Sequence, residues 1–181
     1  LEKFKRDFWL DLKINDIPQT ALSAIDSLKD LKKCKYITVH ANGGLDMLKA
    51  VKKHTKKINK NLKVLGVTIL TSLNNKSLKE IGHTKNVQQL VLKQAELIKK
   101  SGCDGIICSP QESKMIRKKF KNFLIITPGI RLPGDNSNDQ ARVMTPKDAF
   151  KNKVSGVVMG RSLTKGNIKN NVKKLIDHLS K

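Results

Sequence analysis

Hydrophobic and polar residues along the chain alternate between two patterns, short apolar runs rich in β-branched residues and longer segments with helical periodicity. The short runs predict six strands: Phe8 to Lys13, Tyr36 to His40, Lys63 to Leu70, Gly105 to Cys108, Phe123 to Thr127 and Val154 to Met159. The periodic segments predict six helices: Pro18 to Lys33, Leu45 to Lys57, Val87 to Lys100, Glu112 to Lys119, Pro146 to Lys151 and Ile168 to Leu179. Thr145 is well placed as the N-cap of the helix that begins at Pro146.

Strands that alternate with helices predict an α/β fold with a parallel sheet, either open and doubly wound or closed into a barrel. The pattern alone does not choose between the two. A (β/α)8 TIM barrel needs eight strands and about 250 residues, whereas this chain has 181 residues and begins with Leu rather than Met. We therefore expect residues 1–181 to be a single, partial TIM-barrel domain with strands three to eight, preceded by two βα units upstream of Leu1.

Composition narrows the class of protein. The longest apolar stretch, Val64 to Leu70, has seven residues, whereas a membrane span needs roughly 20, and the N-terminus lacks the apolar core of a secretion signal. The three cysteines, Cys34, Cys103 and Cys108, have no metal-ligand or redox spacing, so we expect reduced core thiols in a cytoplasmic protein without membrane association. His40 has no second ligand at metal spacing and is expected to be structural.

The formal charge of +22, taken alone, favours a nucleic-acid partner. Such a surface needs clustered cations and aromatic side chains. Only five of the 37 basic residues are arginine, the aromatic content is 4%, and the lysines are spread over almost every predicted helix. We interpret the charge as solvated helix faces and expect no nucleic-acid partner, although a basic surface attracts an anionic substrate.

Charged residues close the first predicted strand. The two-residue period of a strand puts Asp11 and Lys13 on the same face at its C-terminal end, where barrel enzymes place their chemistry, and Asp16 follows in the next turn. These side chains suit an alternating charge array with Lys13 as a proton donor. Taken alone, the motif is also typical of an exposed strand end with a salt bridge.

Two later loops carry arginine. The run Thr127 to Arg131 ends the fifth predicted strand, and the sixth strand ends in Gly160-Arg161-Ser162. If the strands are the third to the eighth, these loops follow strands seven and eight, where such barrels build phosphate sites. The guanidinium groups of Arg131 and Arg161 and the backbone N–H groups near Gly160 suit a phosphate dianion, although either arginine alone is equally typical of a surface salt bridge.

The segment from Ile130 to Arg142 is polar and rich in turn-forming residues. This composition predicts a loop that does not pack and that closes over a bound phosphate substrate. A plain surface loop is the alternative.

Together these motifs resemble one family. The matching segments follow the family's order over nearly the whole chain: Asp11 to Thr20 (DLKINDIPQT), Val39 to Gly44 (VHANGG), Leu65 to Ser72 (LGVTILTS), Thr127 to Arg131 (TPGIR), Asp139-Gln140 and Gly160-Arg161. They are similar to the bacterial orotidine 5'-phosphate decarboxylases. The Asp11-to-Asp16 element is shared with sugar-phosphate lyases of the same superfamily, and the DIPQT, TPGIR and DQAR motifs separate the two groups.

The resemblance implies a homodimeric carboxy-lyase that converts orotidine 5'-monophosphate to uridine 5'-monophosphate and CO2, the last step of UMP biosynthesis, without metal or cofactor. It implies that Lys13 protonates the C6 carbanion, that Asp11 lies beside the substrate carboxylate, and that Asp16 enters the partner subunit's site. The implied substrate-binding residues are Ile17, Pro18, Thr20, Thr71, Pro128, Arg131, Gln140, Gly160 and Arg161. Among them, Thr20 and Thr71 would contact the ribose or pyrimidine, Gln140 would span base and phosphate, and Arg161 with Gly160 would hold the phosphate.

Two residues of the family have no counterpart in this sequence, a ribose-binding aspartate of the first strand and a lysine of the second strand that completes the charge array. We expect both upstream of Leu1, and we expect the 181-residue chain alone to be poorly soluble or inactive. Two other hypotheses stay open. One is a Mg²⁺-dependent sugar-phosphate lyase, such as a hexulose-phosphate synthase or a ketogulonate-phosphate decarboxylase, and the other is a non-catalytic polyanion-binding module.

Overall fold

The computed structural model describes residues 6–135 and 142–180, and within them strands and helices alternate as predicted. The strands are β1 (Phe8–Ile14), β2 (Cys34–His40), β3 (Lys63–Val67), β4 (Gly105–Ile107), β5 (Leu124–Thr127) and β6 (Gly156–Val157), and they follow chain order in one sheet. The helices are α1 (Pro18–Asp26), α2 (Gly44–Ile58), α3 (Asn75–Glu80), α4 (Val87–Lys100), α5 (Pro110–Lys119), α6 (Pro146–Lys151), α7 (Arg161–Thr164) and α8 (Ile168–Ser180), with a 3-10 helix at Ala41–Gly43.

The chain divides into two compact units, of which the first comprises Leu1–Thr68 and Leu92–Ile106. In this unit β1 pairs with β2, and β2 pairs with β3, in parallel. Leu65 of β3 and Ile98 of α4 are fully buried. Gly66 allows α4 to pack closely on β3, because a Cβ at this position would lie 2.5 Å from Cγ1 of Ile98.

The second unit comprises Ile69–Val91 and Ile107–Lys181. In this unit β5 and β6 pair in parallel. Ile116 of α5 and Ile125 of β5 are fully buried, so an apolar core lies between helix and strand as the alternating pattern predicts. The expectation of a single domain stays a prediction.

Several elements end at other residues than the pattern predicts. The pattern predicts a first helix that continues to Lys33, but α1 ends at Asp26 and hydrogen-bonded turns follow it. The third strand ends at Val67 rather than at Leu70. The last strand, predicted over Val154 to Met159, has only two residues. Helices α3 and α7 are not predicted by the pattern.

Two features expected from composition can be compared with the structure. All three cysteines are buried, as predicted. Burial raises the pKa of Cys103 to about 11 and raises the pKa of Cys108 further, so both thiols are protonated at neutral pH. Within the described part of the chain, no helix combines the length and apolar character that crossing a membrane requires.

The segment predicted as an unpacked loop is packed at both of its ends. Ile130 is fully buried and forms a β-bridge with Met144. Leu132 exposes 8% of its surface and Arg142 exposes 7%. The prediction that the segment from Ile130 to Arg142 does not pack is therefore wrong for these ends, because their apolar and arginine side chains find partners that the local composition does not reveal. Residues 136–141 lie outside the described part of the chain.

Candidate active site

The C-terminal half of β1 departs from the regular pleat of a strand. Leu10 lies opposite Ile37 of β2. The next paired residue, Ile14, lies opposite Val39, so three residues of β1 stand against one residue of β2. Within this bulge Lys13 has a φ of +50°, in the left-handed region that non-glycine residues rarely adopt. Bulges of this kind redirect side chains and are frequent beside active sites.

Asp11 and Lys13 are in contact on the bulge, as the sequence predicts. Lys13 Nζ donates a hydrogen bond of 2.7 Å to Asp11 Oδ2. The lysine side chain is 42% exposed and the aspartate side chain is 47% exposed. The contact arises from the bulge and the left-handed lysine rather than from the regular two-residue period. Because the pair is partly hydrated, it adds little to stability and remains accessible to a ligand.

Thr38 on β2 contacts both members of this pair, a role that the sequence analysis does not identify. Its side-chain Oγ1 accepts a hydrogen bond of 2.9 Å from the backbone N–H of Lys13. The same hydroxyl donates a hydrogen bond of 2.8 Å to Asp11 Oδ1. Thr38 itself is fully buried. The charged pair is therefore attached to the interior of the sheet through one hydroxyl group.

His40 ends β2 and caps the 3-10 helix that follows it. Its Nδ1 accepts a hydrogen bond of 3.2 Å from the backbone N–H of Asn42. Burial, and to a smaller extent the positive charge of Lys13, lower the pKa of His40 below its ordinary value of 6.5. The ring is therefore neutral at neutral pH, which agrees with its role as an acceptor and with the predicted structural role.

The other predicted residues of the first unit lie at the start of α1. Asp16 Oδ1 accepts a hydrogen bond of 2.7 Å from the backbone N–H of Ile17. Ile17 is the N-cap residue and Pro18 is the first residue of the helix. Asp16, Pro18 and Thr20 are exposed, and Ile17 exposes 67% of its surface. The start of α1 therefore exposes a carboxylate and an apolar side chain on the surface.

In the second unit, the two predicted phosphate-binding arginines line one polar cavity of about 290 Å³. Asp135 and Lys165 also line it. Arg131 is almost fully buried, its Nη1 donates to the carbonyl oxygen of Ile130 at 2.9 Å, and its Nε has no hydrogen-bond partner among the described residues. Arg161 is exposed. Three cations against one carboxylate make the cavity suitable for an anion such as phosphate.

The remaining predicted residues of the second unit that the structure describes lie in loops. Gly160 is the exposed residue before α7, Pro128 follows β5 and is half-buried, and Thr71 is a half-buried turn residue beyond β3. Gln140, predicted to span base and phosphate, falls outside the described residues. The substrate contacts of these four residues stay predictions.

The second unit also contains a buried ion pair that the sequence pattern does not predict. Arg142 Nη1 lies 2.8 Å from Glu112 Oε2, and the two side chains are 8% and 3% exposed. Both atoms lack a hydrogen bond of good geometry among the described residues, so the contact is an electrostatic one. Arg142 Nη2 also donates to the carbonyl oxygen of Leu70 at 2.9 Å. The arginine thus fixes the turn that leads to Thr71.

Comparison with known proteins decides the family. Residues 2–175 match the model of the orotidine 5'-phosphate decarboxylase / HUMPS family. The chain belongs to this family. Among its relatives, an orotidine 5'-phosphate decarboxylase of Staphylococcus epidermidis is 40% identical over 166 residues, which are 91% of this chain and 72% of the relative. The corresponding enzyme of Coxiella burnetii is 42% identical over 159 residues, 86% of this chain and 67% of the relative.

Solved structures of the decarboxylase family agree with this assignment. The orotidine 5'-phosphate decarboxylase of Lactobacillus acidophilus superimposes with a TM-score of 0.81 at 33% identity, over 97% of this chain and 76% of the other. The Methanocaldococcus jannaschii enzyme, solved in complex with the inhibitor BMP, gives a TM-score of 0.72 at 26% identity, over 97% of this chain and 74% of the other. The parallel sheet and these neighbours together establish an α/β, TIM-barrel-like fold. A total of eight βα units stays a prediction.

Proposed function

We propose that this chain is a cytoplasmic carboxy-lyase that converts orotidine 5'-monophosphate to uridine 5'-monophosphate and CO2, the last step of UMP biosynthesis. Membership of the family carries the proposal, because relatives at about 40% identity over most of the chain are orotidine 5'-phosphate decarboxylases. The charged pair on β1 and the cationic cavity of the second unit supply the two kinds of group that this reaction requires.

The chemical difficulty lies at C6 of the pyrimidine. When the bond from C6 to the carboxylate breaks, its electron pair stays on C6, CO2 leaves, and no attached group absorbs the charge. The site must stabilise the developing carbanion electrostatically and protonate it. In our proposal Lys13 donates a proton from Nζ to C6, which forms uridine 5'-monophosphate and leaves a neutral amine that regains its proton from solvent.

Asp11 is proposed to orient the proton donor and to lie beside the substrate carboxylate. Its Oδ2 holds Lys13 Nζ at 2.7 Å, and both side chains remain partly exposed, so the ammonium group is oriented without being buried. A lysine ammonium carries three N–H donors. One can serve Asp11 while another points at the substrate, which is the arrangement that proton transfer needs.

The substrate phosphate is proposed to bind in the cavity lined by Arg131, Arg161 and Lys165. A dianion there receives charge-assisted hydrogen bonds, and Nε of buried Arg131, which has no hydrogen-bond partner among the described residues, can donate one of them. Binding energy from this remote group is available to hold the reacting end in place. The other proposed contacts are those of Ile17, Pro18, Thr20, Thr71, Pro128, Gln140 and Gly160.

The activity is tested by following the loss of orotidine 5'-monophosphate absorbance with the full-length protein, with and without a metal chelator. The expected result is turnover that the chelator does not change. A second candidate is a related Mg²⁺-dependent sugar-phosphate lyase, because the matching family model also covers the HUMPS branch. Absence of turnover on orotidine 5'-monophosphate, or turnover abolished by the chelator, would contradict the proposal.

We also propose that the protein acts as a homodimer in which Asp16 enters the site of the partner subunit. The exposed Asp16 and its apolar neighbour Ile17, 67% exposed, form a surface that a second chain would cover. In such a dimer each site combines Lys13 of one chain with Asp16 of the other. The substitutions Lys13→Ala and Asp16→Ala can therefore be carried by different chains of one dimer.

Mixed dimers of the two variants test the shared site. A hybrid of Lys13→Ala with Asp16→Ala contains one site with both lesions and one intact site, so random mixing of the two inactive proteins should restore up to about a quarter of wild-type activity. The two variants carry different affinity tags, which proves that hybrids have formed. Purified hybrids without activity would show that Lys13 and Asp16 serve the same site from the same chain.

A further inference from the structure

We propose that Thr38 is a positioning residue for the reaction, holding Asp11 and Lys13 in their reactive arrangement through a single hydroxyl. The inference rests on the proposed function, because it assigns Thr38 a role in proton delivery by Lys13. No motif of the sequence points to Thr38, which lies within the apolar run of β2.

The hydrogen bonds among the three residues form a closed ring. The backbone N–H of Lys13 donates to Thr38 Oγ1 at 2.9 Å, Thr38 Oγ1 donates to Asp11 Oδ1 at 2.8 Å, and Lys13 Nζ donates to Asp11 Oδ2 at 2.7 Å. A hydroxyl has one hydrogen to give and lone pairs to accept with. Since the carboxylate only accepts and the amide only donates, every donor and acceptor in the ring has a single possible role.

Burial makes Thr38 the fixed member of the ring. Thr38 is fully buried, with a relative exposure of 0%, and its neighbours Ile37 and Val39 are equally buried. Its branched Cβ restricts χ1. Asp11 and Lys13 stand on the bulge with roughly half of each side chain exposed, and exposed ion pairs seldom hold one geometry by themselves. With Thr38 on Oδ1 and Lys13 on Oδ2, both oxygens of Asp11 are fixed, and so is the direction of Nζ.

The backbone of Lys13 gives a second reason for the role of Thr38. The bulge removes Lys13 from the regular pairing of β1 with β2, and its φ of +50° is unfavourable for a residue with a side chain. A backbone N–H that leaves the ladder needs another acceptor. Thr38 Oγ1 is that acceptor, so the hydroxyl supports the left-handed conformation that returns the lysine side chain towards Asp11.

Two substitutions at Thr38 separate the hydroxyl from the shape of the side chain. Thr38→Val keeps the shape and removes both hydrogen bonds, whereas Thr38→Ser keeps the hydroxyl. The matched control is Thr55→Val, since Thr55 is also fully buried in the first unit but its Oγ1 has no hydrogen-bond partner among the described residues. Steady-state kinetics on orotidine 5'-monophosphate and thermal unfolding are measured for all three in the full chain.

We expect Thr38→Val to lower kcat about a hundredfold, because small misplacements of catalytic groups have effects of that size. KM should stay within about threefold, since the proposed role of buried Thr38 acts through Asp11 and Lys13 and not through substrate binding. Thr38→Ser and Thr55→Val should keep kcat within about threefold of wild type. If Thr38→Val does not fold, Thr38→Ala provides the same loss of hydroxyl in a smaller side chain.

Three kinetic outcomes would overturn the inference: an unchanged kcat in Thr38→Val, an equal loss of kcat in Thr38→Ser, or an equal loss of kcat in Thr55→Val. Hydrogen exchange at the Lys13 amide gives a readout that does not depend on activity, because its protection should be lost in Thr38→Val and kept in Thr38→Ser. A wild-type protein without decarboxylase activity would refute the proposed function. A protected amide in Thr38→Val would refute the positioning role instead.

Discussion

Two pairs of a carboxylate and a cation, one in each unit of the molecule, have nearly the same length and opposite surroundings. Lys13 Nζ lies 2.7 Å from Asp11 Oδ2, with side chains 42% and 47% exposed. Arg142 Nη1 lies 2.8 Å from Glu112 Oε2, with side chains 8% and 3% exposed. The distance between the charges therefore does not reveal what each pair does.

Exposure distinguishes the two roles. The charges of Asp11 and Lys13 keep part of their hydration, so the pair contributes little to folding and can exchange water for a substrate. Glu112 and Arg142 have lost their hydration, and each is tolerated in the interior because the other is present. The exposed pair is therefore accessible to a ligand, as its proposed role requires, whereas the buried pair belongs to the packed interior of the second unit.

The largest expected effect comes from removing the exposed lysine. Lys13→Ala should lower kcat for orotidine 5'-monophosphate by about 10³-fold or more, because the proposed general acid is lost. Its free energy of unfolding should change by less than about 1 kcal/mol, since the ion pair is partly exposed. Steady-state kinetics and urea unfolding measure the two quantities.

Lys35→Ala is the matched control for Lys13→Ala. Lys35 lies in the same unit, 3.8 Å from Asp7, and its side chain is 37% exposed. Nothing places it in the proposed chemistry, so activity should be kept. Equal loss of activity in the two variants, or strong destabilisation by Lys13→Ala, would remove the contrast between the two pairs.

The next effect comes from breaking the buried pair. Glu112→Ala leaves the Arg142 guanidinium buried without its carboxylate, and breaking such pairs typically costs about 3–5 kcal/mol of folding free energy. Urea unfolding measures this loss. In the same unit, Lys151 forms an exposed pair with Asp148 at 3.0 Å, and Lys151→Ala should leave the urea midpoint unchanged. Similar midpoints for the two variants would show that burial does not separate these pairs.

Local sequence pattern predicts much of the fold. The bounds predicted for α4 and α6 are those observed, and Thr145 caps α6, since its Oγ1 accepts from the backbone N–H of Asp148. Apolar periodicity carries this information. It misleads beyond Asp26, where Leu28 and Leu31 continue the helical spacing but the chain forms turns with bonds such as Leu28 N–H to Ile25 oxygen. The spacing of apolar residues indicates which face of a helix is buried, but it does not indicate where the helix ends.

Contacts between distant residues explain what the pattern could not predict. The apolar run of β3 continues to Leu70, yet the strand stops earlier and the Leu70 oxygen accepts from Arg142, 72 residues later. Thr38 meets Asp11 across 27 residues through an irregular register. The sequence predicts that Lys13 and Asp11 lie close together because they are two residues apart on one strand, but the bulge and the left-handed Lys13 that bring them into contact could not be predicted. The contacts of Arg142 and of Thr38 could not be predicted, because each depends on the strand register and packing of its own unit.

The smallest expected effect measures how far the charge of Lys13 reaches within the first unit. Burial is the main cause that lowers the pKa of His40 below 6.5, and the charge of Lys13 adds a smaller lowering. An NMR titration of the His40 ring should therefore give a pKa below 6.5 in the wild type. In Lys13→Ala the pKa should rise and still stay below 6.5, because burial remains. An unchanged pKa would mean that water screens the exposed charge fully.

The lowered pKa of His40 also gives stability a defined dependence on pH. In the unfolded chain the ring takes up a proton near pH 6.5, whereas the folded ring does so only at lower pH. The contribution of neutral His40 is thus present above pH 6.5 and is lost as pH falls through the folded-state pKa. His40→Asn keeps an acceptor for the Asn42 N–H without a titrating ring. Wild type should therefore lose stability relative to His40→Asn as pH falls below 6.5, and a constant difference in their urea midpoints would contradict this.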